Sequence, residues 1–126
     1  MNLNQITVSV KDVEQSIAYY QKLGLKLIVK SLPDYARFNC PGGDATFSLH
    51  KAETTETEKS VWIYFEENDL DNKVKHLQQQ GFVFDELPQD KPWLWREARL
   101  RDLDNNVLIL YFAGDMRKNP PWKIEE

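Results

Sequence analysis

Residues 3–10 read Leu-Asn-Gln-Ile-Thr-Val-Ser-Val, polar and apolar side chains taking turns along the run. A period of two predicts a strand with one buried face. Asp12 follows as a helix N-cap, with Gln15 as its capping-box partner. Val13, Ile17 and Tyr20 then recur at helical spacing, and Gly24 is the expected stop. Strands are predicted at 25–31, 35–40 and 45–51, with turns at Pro33-Asp34 and at Pro41-Gly42-Gly43.

A Thr- and Glu-rich stretch from Glu53 to Lys59 has nothing to bury and reads as a connector. The pattern then starts again. Residues 61–66 alternate, Asp69 caps a second helix with apolar positions Leu70, Val74 and Leu77, and Gly81 ends it. Further strands are predicted at 82–86, 95–101 and 107–112, the last two joined by Asp102-Leu103-Asp104-Asn105-Asn106, a turn of residues that bond their own backbone or accept positive φ. Asp12 and Asp69 stand 57 positions apart, and so do Val13 and Leu70, Ile17 and Val74, and Gly24 and Gly81. The constant offset points to two copies of one unit. Two unrelated βα units would be the competing reading.

The chain has 126 residues, enough for one domain and too few for two independent cores. The expected organisation is a first module over about 1–52, the connector at 53–59, a second module over about 60–113 and a tail at 114–126. Hydrophobic residues at 41% and charged residues at 29% suit a folded chain rather than a disordered one. Net charge is −4 with no dense block of Lys and Arg, so neither nucleic acid nor anionic membrane is an expected partner. No apolar run approaches the roughly 18–20 residues needed to cross a bilayer, and Met1-Asn2-Leu3-Asn4-Gln5 does not read as a signal peptide. A cytoplasmic location is the expectation. Cys40 is alone, so no internal disulfide or cysteine metal cluster is expected.

Two motifs carry a resemblance. The run Val10-Lys11-Asp12-Val13-Glu14-Gln15-Ser16-Ile17-Ala18-Tyr19-Tyr20, closed by Leu23-Gly24, is similar to the opening of the glyoxalase/bleomycin-resistance/extradiol-dioxygenase superfamily, the vicinal oxygen chelate fold. Arg101-Asp102-Leu103-Asp104-Asn105-Asn106 resembles that superfamily's late "RDPDGN" turn, with Leu103 and Asn105 in place of proline and glycine. The resemblance implies an α+β fold of two βαβββ modules, their strands forming one cup-shaped mixed sheet with helices outside and the ligand inside. In the metal-dependent members each module supplies one ligand from its first strand and one from its last. Those positions fall on Gln5 and Ser48 in the first module and on Trp62 and Ile109 in the second. Only Gln5 offers a plausible oxygen donor; Ser48 is a poor one, and Trp and Ile have none. The expectation is therefore no metal and no other cofactor.

Strand alternation sorts the remaining side chains. Ile6, Val8, Val10, Ala36, Phe38, Phe47, Leu49, Val61, Ile63, Phe65, Ala98, Leu100, Leu108, Leu110 and Phe112 fall on the helix-facing side. From the opposite face the expected ligand-binding residues are Gln5, Thr7, Arg37, Ser48, Trp62, Tyr64, Glu66, Arg99, Ile109 and Tyr111. An antiparallel sheet with one solvated face alternates in the same way, yet Trp62, Tyr64 and Tyr111 suit a pocket better than a wet surface. Glu66 and His50 are the candidate general bases, against the commoner roles of ion-pair partner and exposed strand-end residue. Trp93 and Trp95 read either as a flap or as packing. In the tail, Pro120 and Pro121 rule out a continuing helix, and Trp122 and Ile124 need an apolar surface, either the domain's own or a second subunit's. Many members of the superfamily that the chain resembles dimerise, so the resemblance makes a homodimer the expected assembly.

The first functional reading is a binding protein for a small anionic or aromatic molecule that works without a divalent metal. The second is a glyoxalase-type lyase or isomerase acting on a small carbonyl compound. The third is a structural or regulatory dimer with no ligand.

Overall fold

The computed structural model describes residues 1–55, 59 and 61–124. Residues 56–58 of the expected connector, Ser60, and Glu125-Glu126 of the tail lie outside the described residues. The element order is β1 (Gln5–Val10), α1 (Val13–Leu23), β2 (Lys26–Ser31), β3 (Tyr35–Asn39), β4 (Thr46–Lys51), β5 (Trp62–Glu66), α2 (Leu70–Gln79), β6 (Phe84–Asp90), β7 (Arg96–Arg101) and β8 (Val107–Phe112), followed by a short 3-10 helix at Gly114–Arg117. This is βαβββ twice over, an α+β fold of two modules. Hydrogen bonding divides the strands into two mixed sheets of four, ordered β1-β4-β3-β2 and β5-β8-β7-β6. In each, the first strand runs parallel to the last and the other neighbours are antiparallel.

The chain forms two compact units: residues 1–61 with 102–106, and residues 62–101 with 107–126. In the first, Asp12 caps α1 through its carboxylate, which accepts the Gln15 N–H at 3.0 Å. Gly24 closes that helix at φ 122°, a left-handed geometry that favours glycine. Tyr20 is fully buried, its ring 4.8 Å from Phe47 and 6.0 Å from Phe38. With Val10, Val13, Ile17, Ala36 and Leu49 these rings make the core between α1 and its sheet. Each Val, Ile, Leu and Phe among them contributes on the order of 1.5–3 kcal/mol by leaving water.

The turn at 102–106 belongs to this first unit although it joins two strands of the second sheet. Asp102 organises it. One carboxylate oxygen accepts the N–H groups of Asp104 and Asn106 at 2.9 and 2.8 Å; the other accepts the Tyr20 hydroxyl at 2.5 Å and the Asn106 amide at 2.8 Å. Asp104 accepts the Lys11 N–H at 3.0 Å. Asn105 takes positive φ at 65°, as the turn composition implies.

In the second unit, Ile63, Leu70, Val74, Leu77, Ala98, Leu100, Leu108 and Leu110 are buried. Asp69 occupies the N-cap of α2, but its side chain bonds no backbone N–H; the carboxylate accepts the Asn72 side-chain amide at 2.8 Å instead. β6 runs to Asp90, past the expected end at 86, and takes in Pro88. It pairs with β7 through two register shifts and lies at the sheet edge, where a proline's missing donor costs no ladder bond. No helix among the described residues is long and apolar enough to cross a membrane.

Candidate binding site

The face of the first sheet away from α1 carries a continuous polar network. Gln5 Nε2 donates to Ser48 Oγ at 2.8 Å and to Thr7 Oγ1 at 3.2 Å, and the Thr46 hydroxyl donates to Gln5 Oε1. The Tyr35 hydroxyl shares a 2.7 Å bond with Ser48, and Arg37 Nε donates to Tyr35 at 2.9 Å. Arg37 also lies 5.5 Å from the Tyr35 ring centre. The bond to Ser48, and after it the bond and charge of Arg37, lower the Tyr35 phenol below its usual range. Ser48 is fully buried beneath this network, so it serves as a hinge pin of the face rather than as an open contact.

The corresponding face of the second sheet is aromatic. The Arg99 guanidinium sits 4.6 Å from the centre of the Trp62 ring. Tyr64 meets Trp95 and Tyr111 edge to face, at 5.9 and 5.4 Å, and Trp95 stacks on Tyr111 at 4.9 Å. Trp62 is 49% exposed and Tyr64 40%, whereas Ile109 is fully buried and joins Val107, Tyr111 and Ala113 in an apolar cluster against which Trp95 packs. Ile109 and Tyr111 thus form the floor of the face, and Trp62 and Tyr64 its accessible surface. Tyr64 and Tyr111 titrate above the usual phenol range, chiefly through burial and secondarily through the charges of Glu97 and Glu66.

The two candidate bases are placed differently from each other. Glu66 accepts the backbone N–H groups of Ala113 and Gly114, both at 2.9 Å, and so caps the short helix that follows β8. His50 is exposed at the end of β4. Cys40 is half-buried, and burial pushes its thiol up, away from nucleophilic use.

Three residues of the aromatic face were absent from the expected set: Trp93, Trp95 and Glu97. Trp93 Nε1 donates to the buried Glu97 carboxylate at 2.6 Å. The available signal was the alternation Trp93, Trp95, Glu97, Arg99, four side chains at a spacing of two leading into β7. The connection between β6 and β7 is a tight turn rather than a loose flap: Leu94 N–H bonds Lys91 O at 2.9 Å and Lys91 N–H bonds Trp95 O at 2.7 Å.

The strand registers make the two faces equivalent. Gln5 pairs with Thr46 and Thr7 with Ser48, just as Trp62 pairs with Val107 and Tyr64 with Ile109. Gln5 and Ser48 therefore hold the same diagonal relation on the first sheet as Trp62 and Ile109 on the second. Arg37 opposite Ser48 likewise matches Arg99 opposite Ile109.

A family model described as "Glyoxalase/Bleomycin resistance protein/Dioxygenase superfamily" matches residues 2–110. The chain belongs to that superfamily. Solved structures agree in fold. A glyoxalase/bleomycin resistance protein/dioxygenase from Nocardioides superposes with a TM-score of 0.80 at 18% identity, covering 99% of this chain and 90% of that one. A lactoylglutathione lyase from Agrobacterium tumefaciens gives 0.73 at 14% identity, covering 88% and 92%. A bleomycin-binding protein complexed with bleomycin gives 0.70 at 15% identity, covering 89% and 98%. At these identities the likeness is one of fold. No curated protein matches the chain. At the four positions where the resemblance implies metal ligands, Trp62 and Ile109 have no atom to give a divalent metal, and Ser48 is already bonded to Gln5 and Tyr35. Among the described residues no three His, Cys, Asp or Glu side chains group as a metal would require.

Proposed function

We propose that this superfamily member binds a small aromatic molecule with an anionic group, using the aromatic face of its second sheet and no divalent metal. One observation carries the reading: Arg99, without an ion-pair partner among the described residues, lies over the half-exposed Trp62 ring beside Tyr64. A planar ligand stacked there gains dispersion and ring-quadrupole contact, and the guanidinium holds an anion in a fixed fork. The Gln5, Thr7, Arg37, Ser48 network on the equivalent face of the first sheet supports a parallel role in hydrogen bonding polar ligand groups.

A glyoxalase-type lyase or isomerase has weaker support, because Glu66 is occupied by two backbone N–H groups and His50 stands at an exposed strand end. A cytoplasmic homodimer completes the proposal, with exposed Trp122 and Ile124 as apolar side chains suited to a second copy. The test is a thermal-shift panel of aromatic acids, with bleomycin as a separate probe, on protein dialysed against chelator. A raised melting temperature with an aromatic acid supports the reading. Tightly held stoichiometric Ni, Zn, Fe or Mn in purified protein refutes its metal-free part, and no shift across the panel favours a ligand-free dimer.

A further inference from the structure

We propose that Glu97 forms a subsite for a cationic nitrogen, so that the ligand of the aromatic face carries a positive group about one strand repeat away from the group held by Arg99. This rests on the binding role proposed above for that face and extends it to a class of ligand: an aromatic amine or an aromatic zwitterion.

Glu97 is only 6% exposed, and a buried carboxylate is normally kept where a cation or several donors compensate it. Here its one bond among the described residues comes from a neutral donor, the Trp93 indole N–H. The nearest cation on the same face of β7, Arg99, is two residues along, yet it lies over Trp62 and forms no ion pair with Glu97; Arg96, adjacent in sequence, alternates to the opposite face and pairs with Asp71 and Asp90. The two charges are thus held apart rather than allowed to neutralise each other. No side-chain oxygen of a described residue is both buried and unpaired, so the second Glu97 oxygen, which accepts no bond, reaches solvent.

Aromatic residues neighbour the carboxylate. Trp93 bonds it, Tyr111 stands opposite it in the ladder, Trp95 precedes it by two residues and stacks on Tyr111, and Tyr64 feels its charge. Aromatic rings and a carboxylate with a free oxygen are the two components that recognise an organic ammonium group.

The experiment titrates the full chain, by tryptophan fluorescence, with three probes of similar shape: 2-phenylethylammonium, 2-phenylethanol and 3-phenylpropionate. The ammonium is expected to bind at least tenfold tighter than the alcohol, and Glu97→Gln, which keeps an acceptor for Trp93, to erase that gain while leaving 3-phenylpropionate within threefold. An ammonium no tighter than the alcohol, or a gain that survives Glu97→Gln, overturns the subsite. If Glu97→Gln does not fold, the ratio of ammonium to alcohol in the unmodified chain decides. Binding of 3-phenylpropionate without an ammonium gain sinks this inference alone; failure of all three probes sinks the parent reading with it.

Discussion

The Arg99 guanidinium lies 4.6 Å from the centre of the Trp62 ring, on the face of the second sheet turned away from its helix. An arginine could have met a carboxylate, as Arg96 does with Asp71 and Asp90, and Arg101 with Asp85. Arg99 instead keeps its in-plane N–H groups available. Trp62→Ala should therefore weaken an aromatic acid at least tenfold. With the ring half-exposed, its stability cost should stay below the roughly 3–5 kcal/mol of a buried aromatic. Fluorescence titration and urea unfolding measure the two effects separately.

Glu66 gives a sharper division between chemistry and structure. If its carboxylate is a cap for Ala113 and Gly114, Glu66→Ala should cost about 1 kcal/mol and speed hydrogen exchange at the Gly114 amide. Glu66→Gln, which still offers one acceptor, should recover most of that protection. A glyoxalase-type base would behave differently: Glu66→Gln would be as damaging to turnover as Glu66→Ala.

Asp102 should be among the costliest polar positions. Truncation to Ala removes the acceptor for the Tyr20 hydroxyl, two turn N–H groups and the Asn106 amide at once. Leaving buried donors unpaired predicts a loss on the order of 3 kcal/mol, read as a shifted midpoint in denaturant unfolding.

The tyrosines should ionise in a set order in an ultraviolet alkaline titration. Tyr35, lowered by its Ser48 and Arg37 contacts, goes first; Tyr19, Tyr20, Tyr64 and Tyr111, all raised chiefly by burial and the first two also by Asp102, follow. The sign of the linkage follows. A phenol whose folded pKa is raised binds its proton more tightly folded than unfolded, so its contribution is complete below the unfolded value near 10. It is lost as pH rises from there through the folded value. Stability should fall at alkaline pH, and Tyr20→Phe should flatten that fall while Tyr35→Phe should not.

The fold was legible because each module writes its plan locally. Asp12 and Gly24 bracket one helix and Leu70, Val74 and Leu77 stripe the other, so the repeated order of strands and helices could be read from spacing, and the resemblance supplied the two βαβββ modules that they form. The site was harder to read. Alternation placed Trp62, Tyr64 and Arg99 on the correct face, but it could not tell an accessible ring from a floor. Ile109 and Tyr111 are buried where Trp95, just before β7, packs back onto their cluster, and alternation gives a residue's face but not what covers it. Nor could it see Trp93 reach Glu97, since a tight turn with Leu94 at positive φ aims that indole. Glu66 looked like a base because its partners, two backbone N–H groups beyond β8, carry no mark in the sequence.

The most direct test of the account is a titration of chelator-dialysed protein with 3-phenylpropionate, followed by tryptophan fluorescence. The account predicts a saturable change with a dissociation constant of about millimolar, as expected for so small a ligand. The change should be the same with and without added divalent metal, and lost in both Trp62→Ala and Arg99→Gln. A response that requires the metal, or one that survives both substitutions, would contradict it.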